Sequence, residues 1–456
     1  MLTGFVDDIR PDRIVGWAAD LDSPDARVEL ALIVDDEEIG RVVADHTRDD
    51  LKRLGRYGDG RHGFSFAIPP GLSTTDDHDV VVRFVRDEQV LAKFKFCRRA
   101  PSATPDRTSA PLRYILHIGQ PKTGTKYLQQ SFNRFRRQLL DDGICYPTEW
   151  WTPTSVFGHH ELVGEIEGAP NAKLEKAFAE LNAAGHRVVL LSCEGFCENS
   201  KAGLEYLRKL TAGNPVEVVY YARRWSDLIP SQWQQSVKQG ASETLPEFYA
   251  NTLARAENSQ IINQSIVLDR YASVFGRESL RVISYSNLQD SRLDIAADFF
   301  RNVLGWTHDL ILRQELVHES MGIQQTELIR CFNVLESFPN DKSEAAVYNA
   351  FRVVQQDPAV GEDVRHVFAA MQKHVGAIRI DDDAYPLRPV FSRMNEAYGD
   401  RLANPMHGRE FFKKRSRSVS FVKPDFLLED GIVVALKRVH GAVLGHLAGS
   451  KSRMAS

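Results

Sequence analysis

Apolar and polar positions alternate through the first hundred residues. Arg27-Val28-Glu29-Leu30-Ala31-Leu32-Ile33-Val34 meets a polar turn at Asp35-Asp36-Glu37-Glu38 and is answered by Ile39-Gly40-Arg41-Val42-Val43-Ala44. A period of two on either side of a polar turn predicts a hairpin. His78-Asp79-Val80-Val81-Val82-Arg83-Phe84-Val85 and Val90-Leu91-Ala92-Lys93-Phe94-Lys95-Phe96 make a second such pair. Short alternating strands between Pro, Gly and Asp turns predict a small all-β sandwich over residues 1–97. Three prolines among Ser, Thr and Ala then mark a linker over 98–112.

Past the linker the period changes. Tyr114-Ile115-Leu116-His117-Ile118 is a short buried strand, and Leu128, Phe132, Phe135 and Leu139 follow at helical spacing. Leu174, Phe178 and Leu181 predict another helix ahead of the strand Arg187–Leu191. The strand Val216–Tyr221 precedes a helix through Gln232 to Lys238, and the strand Leu280–Tyr285 precedes a helix from Ile295 to Leu304. Strands alternating with helices predict an α/β domain, a parallel sheet flanked by helices, over 113–405. Residues 406–456 form a basic tail.

Composition narrows the function classes. The 456 residues carry 43% hydrophobic and 26% charged side chains and a formal charge of −4, so nothing global points to nucleic acid. Cys97, Cys145, Cys193, Cys197 and Cys331 are too sparse, and odd in number, for a secreted disulfide framework. Cys193 and Cys197 lie four apart, with no neighbouring Cys or His in the sequence to complete a zinc pattern. No basic residue precedes an apolar run at the N-terminus, and no stretch is long and apolar enough to span a bilayer. The expectation is a cytoplasmic protein.

The most informative stretch is His117-Ile118-Gly119-Gln120-Pro121-Lys122-Thr123-Gly124-Thr125-Lys126-Tyr127-Leu128. A strand ends and a helix begins within it, so several backbone N–H groups and the positive end of a helix dipole converge. Gly124 permits close backbone approach, Lys122 adds a full charge and Thr125 a hydroxyl; together they suit a phosphate or a phosphosulfate. Gly119 and Gly124 have the glycine separation of the nucleotide triphosphatase loop, but Thr125-Lys126 reverses its Lys-Ser/Thr order and misplaces the hydroxyl that would hold magnesium. A second anchor lies at Tyr220-Tyr221-Ala222-Arg223-Arg224-Trp225 and Ser231. An arginine at a strand end and a serine on the next helix can clamp one phosphate from two sides.

The Pro121-Lys122-Thr123-Gly124-Thr125 order resembles the 5′-phosphosulfate loop of sulfotransferases that use 3′-phosphoadenosine 5′-phosphosulfate (PAPS). The spacing of eight from Arg223 to Ser231 resembles that family's 3′-phosphate motif, and favours Arg223 over Arg224. The resemblance covers about residues 112–405. It implies that Gln120, Pro121, Lys122, Thr123, Gly124, Thr125 and Lys126 wrap the 5′ end, with Lys122 at the bridging oxygen. It further implies that Arg223 and Ser231, with help from Lys238, hold the 3′-phosphate. Lys126 departs from the usual Ser/Thr, as it does in some glycan sulfotransferases. Val282–Leu288 resembles the last core strand and Phe391–Tyr398 the closing helix. Residues 313–322 are expected to pack over the adenosine.

The reaction so implied moves a sulfuryl group in line to an acceptor hydroxyl, on a carbohydrate or glycolipid, releases 3′,5′-adenosine diphosphate and requires no metal. It needs a base near the hydroxyl and a cation at the leaving oxygen. Glu194 directly follows the apolar strand Leu190-Leu191-Ser192 and resembles the base of glycan O-sulfotransferases; strand C-termini are where parallel sheets place active sites. Ser192 is an orienting hydroxyl in that reading. His159 and His160 are the alternative base.

Gly16-Trp17-Ala18-Ala19-Asp20, Arg48-Asp49-Asp50-Leu51 and Gly58–Phe64 resemble a β-domain found before bacterial sulfotransferase and glycosyltransferase domains. That implies an accessory module for a glycan or a partner. From Arg409 onward ten Lys/Arg stand against four Asp/Glu, and Phe426–Leu447 suits an amphipathic helix. The tail therefore either packs on the protein or touches a membrane surface or acidic glycan. Two competing readings of the whole chain remain at this stage: a P-loop kinase or ATPase, and a non-catalytic glycan-binding protein.

Overall fold

The computed structural model describes residues 2–9, 13–48, 51–52, 57–69, 78–96, 111–151, 157–306, 321–335, 347, 350–351, 353–403 and 408–454. The expected linker 98–112 lies outside these up to residue 110, as do Cys97 and residues 313–320 of the expected adenosine cover. By its contacts the chain divides into two compact units. One comprises Met1–Arg223, Ser265–Val317 and Met394–Lys413; the other comprises Arg224–Gln264, His318–Arg393 and Lys414–Ser456. Residues 113–405 contribute to both.

The first unit opens with two four-stranded antiparallel sheets. Strands β1 (Leu2–Ile9), β2 (Arg13–Asp20), β5 (His46–Thr47) and β6 (Arg61–Ala67) pair in the order β1-β2-β6-β5. Strands β3 (Val28–Val34), β4 (Glu37–Ala44), β7 (His78–Phe84) and β8 (Val90–Phe96) pair in the order β4-β3-β7-β8. Both predicted hairpins are present. Asp35 and Asp36 turn the first with φ of 49° and 67°, the pair of positive values that a two-residue hairpin loop requires. Val6, Ile14 and Phe66 from one sheet and Leu30, Val82 and Phe84 from the other share one core, as in a sandwich.

A five-stranded parallel sheet follows: β9 (Arg113–His117), β10 (Ile144–Cys145), β11 (Val188–Ser192), β12 (Val216–Ala222) and β13 (Leu280–Ser284), in the order β10-β11-β9-β12-β13. All residues of β11, and all but the first of β9, are buried, as strands covered on both faces must be. β9 lies between β11 and β12: the connection out of β9 runs to β10 on one side, and the connection out of β11 crosses to β12 on the other. That is the switch point where open parallel sheets form a crevice. Leu128 and Phe132 of the Thr125–Arg134 helix pack with Ile115, Leu190 and Phe299 on one face.

The sandwich and the parallel sheet touch within this unit. Val6 bridges to Leu293, whose side chain packs on the sandwich core. The next residue, Asp294, caps the Ile295–Asp298 turn through the N–H groups of Ala296 and Ala297, and accepts a hydrogen bond from the Tyr127 hydroxyl at 2.7 Å. Tyr127 stands two residues after Thr125, so the front domain braces the helix that follows the Gly119–Gly124 loop.

The second unit is built round its own core of Trp233, Phe332, Val367, Met371, Leu436 and Val439. The C-terminal helix Ile432–Met454 commits Ile432, Ala435, Leu436, Val439 and Val443 to that core. The expected amphipathic helix therefore spends its apolar side on the protein. The basic run before it enters β15 (Ser416–Val422), paired antiparallel with β14 (Val375–Asp381). No helix among the described residues is long and apolar enough to cross a membrane.

Candidate active site

Three of the sequence-predicted segments meet at the carboxyl edge of the parallel sheet, because β11, β9 and β12 are neighbours and run the same way. The Gly119–Gly124 loop follows β9, Glu194 follows β11 and Arg223 follows β12. The loop is held on both flanks by main-chain bonds that prolong the ladder. Tyr221 N–H donates to Gly119 O at 2.7 Å, and Cys193 N–H donates to His117 O at 3.0 Å.

Local chemistry fixes the loop's path. Gly119 and Gly124 have φ of 99° and 76°, values open to glycine. Lys122 is also left-handed, at 67°, which a side chain other than Gly, Asn or Asp rarely tolerates. Strain of this kind collects where a backbone is shaped for a ligand. The Thr123 hydroxyl donates to Gln120 O at 2.5 Å, closing the turn from inside. Gln120 is buried, and its Oε1 accepts from Arg223 N–H at 3.3 Å. The Arg223 guanidinium donates to the Lys122 carbonyl and lies 5.7 Å from the Tyr285 ring centre. The Gly119–Gly124 loop and Arg223, a hundred residues apart in the chain, are thus in direct contact.

Thr125 is the first residue of the ten-residue helix, with Gly124 as its N-cap and no side-chain cap. The hydroxyl of Thr125 is buried and has no hydrogen-bond partner. A buried hydroxyl without a partner at a helix N-terminus is a costly arrangement unless a ligand completes it. Pro121 and Lys126 lie in the same loop and first turn.

Glu194 begins a 3-10 turn, Glu194–Glu198, and is half-buried beneath the loop. A Cβ placed on Gly119 would stand 3.3 Å from the Cα of Glu194. Its Oε2 accepts from the Gln129 amide at 3.3 Å. Gln129 is buried on the phosphate-loop helix, and its amide passes Gly158 so closely that a Cβ there would lie 2.5 Å from Nε2. No sequence pattern marked Gln129 or Tyr285, because their roles come from tertiary contact.

The two candidate histidines part company. His159 is wholly buried, with Nδ1 accepting from Ser192 N–H at 2.9 Å and Nε2–H donating to Pro147 O at 2.9 Å. Burial pushes its pKa down to about 4, so the ring is a neutral cross-link between main chains. A base must have a lone pair free for the acceptor proton, and His159 has none. His160 begins the helix His160–Glu167, is half-buried, and has Nδ1 at 3.2 Å from the Cys193 sulfur. The Ser192 hydroxyl turns away to His117 Nδ1, at 2.8 Å.

Arg224 is buried in the second unit, facing Asp227 at 3.3 Å and Asp382 at 3.9 Å. That leaves Arg223 as the phosphate candidate. Ser231 and Lys238 lie on the Trp225–Lys238 helix, in the second unit.

No known family model matches the chain, and neither curated proteins nor solved structures show a match.

Proposed function

We propose that the chain is a PAPS-dependent sulfotransferase acting on a hydroxyl, with a carbohydrate or glycolipid as acceptor. The observation that carries the reading is the meeting of Lys122, Arg223 and Glu194 at one sheet edge, above a helix whose first residue keeps a buried, unsatisfied hydroxyl. The helix N-terminus and Thr125 receive the 5′-phosphate oxygens. Lys122 neutralises the bridging oxygen as it departs. The acceptor oxygen attacks sulfur while Glu194 takes its proton. The sulfur–oxygen bond to the phosphate then breaks, and its electron pair leaves with 3′,5′-adenosine diphosphate. Nothing is oxidised or reduced, and no covalent enzyme intermediate forms. The reversed Thr125-Lys126 order argues against phosphoryl transfer with magnesium.

Calorimetric titration separates the readings. Binding of 3′,5′-adenosine diphosphate without metal, lost in Lys122→Ala, is expected. Binding of ATP with magnesium in its place would move the assignment to a kinase or ATPase. Binding of neither would leave a glycan-binding protein.

A further inference from the structure

Beyond sulfuryl transfer, and independent of it, we propose that His160, Cys193 and Glu194 form a binding site for a zinc-type divalent cation. Their ligand atoms all lie within 4.8 Å of one another. Nitrogen, sulfur and carboxylate oxygen are the donor set that zinc takes, at about 2.0–2.3 Å each, and small side-chain rotations suffice to close the triangle. Two segments supply the donors: the first turn of the His160–Glu167 helix and the end of β11. The pairing is invisible in the sequence, where His160 and Cys193 stand 33 residues apart. Cys197 donates its S–H to Ile118 O at 2.7 Å.

The surroundings suit metal-bound anions. The Cys193 sulfur accepts from Gly195 N–H at 3.3 Å, and Glu194 Oε2 accepts from the buried Gln129 amide at 3.3 Å. Hydrogen bonds donated to ligand atoms orient them and stabilise their charge. His160 and Glu194 are each half-buried and Cys193 is buried, so the three donors are largely screened from solvent. The Cys193 sulfur and His160 Nδ1 already stand 3.2 Å apart, so two of the three donors face each other.

The test is a cobalt titration of the full chain under reducing, oxygen-free conditions. Cobalt bound through a thiolate gives a near-ultraviolet charge-transfer band and visible ligand-field bands. One equivalent is expected to produce both, and zinc to bleach them. Cys193→Ser should abolish the charge-transfer band, Cys197→Ser should leave it, and His160→Ala should weaken cobalt binding at least about tenfold. Should Cys193→Ser fail to fold, judged by circular dichroism, Glu194→Gln with its thiol intact must still bind cobalt about tenfold more weakly. Absence of the bands, or their persistence in Cys193→Ser, overturns the site. Titration of the same sample with 3′,5′-adenosine diphosphate reports on the nucleotide reading separately, so either can fail alone.

Discussion

Gly119 and Glu194 pack backbone to backbone: a Cβ on the glycine would lie 3.3 Å from both Cα and Cβ of the glutamate. The Gly119–Gly124 loop and the Glu194 backbone therefore share one wall. Gly119 also has φ of 99°. Gly119→Ala must accept a strained backbone and push on Glu194 together. The expected cost is about 1–3 kcal/mol of stability, with loss of 3′,5′-adenosine diphosphate binding. Thermal unfolding and calorimetry read the two effects, and an unchanged melting temperature would contradict the close packing.

Thr125 offers the opposite signature. Its hydroxyl is buried with no partner, so it costs desolvation that no bond offsets. Thr125→Val keeps the shape and removes the hydroxyl. Stability should stay within about 0.5 kcal/mol or rise, while affinity for 3′,5′-adenosine diphosphate falls about tenfold, the worth of one hydrogen bond to a charged group. A stability loss with unchanged affinity would show that the hydroxyl serves the fold.

Glu194 and Gln129 divide binding from chemistry. Glu194→Gln preserves size and the neighbouring loop, so nucleotide affinity should hold while turnover drops about a hundredfold or more, the usual weight of a general base. Gln129→Leu removes the amide that orients the carboxylate at 3.3 Å. Turnover should fall about tenfold, with nucleotide affinity again unchanged. Full turnover in Glu194→Gln would pass the role of base to His160, since both nitrogens of His159 are engaged by main-chain groups.

Patterning alone carried much of the architecture. The period-two runs at Val28–Val34 and His78–Phe84 and the buried runs at Tyr114, Val188 and Val218 are strands, since burial of alternate or all side chains is what those patterns encode. The two-residue edge strand Ile144–Cys145 and the β14–β15 pair went unseen. The first is too short to show a period, and the second pairs residues about forty positions apart. At the site, the approach of the Gly119–Gly124 loop to Arg223 was legible because each directly follows a strand that the pattern marks. The contacts of Gln129 with Glu194 and of Cys193 with His160 were not, because sheet order brings them together across 65 and 33 residues.

His159 gives the fold a dependence on pH whose sign is fixed by its neutral ring. Burial holds its pKa at about 4, whereas the unfolded chain takes up the same proton near the ordinary value of 6.5. Between those values the unfolded state holds more protons, so stability rises with pH. The contribution is whole above about 6.5 and drains away as pH falls to about 4, a loss of about 3 kcal/mol across the window. His117, also wholly buried and pushed down to about 3, adds a second loss of the same sign. His159→Gln lowers stability at neutral pH, since it breaks the link between Ser192 and Pro147, yet it should lose less on acidification than the parent. Urea unfolding of both proteins from about pH 7 to about pH 5 measures the difference, which cancels every carboxylate they share. Parallel curves would mean that His159 titrates alike in the folded and unfolded chains, so that burial does not depress its pKa.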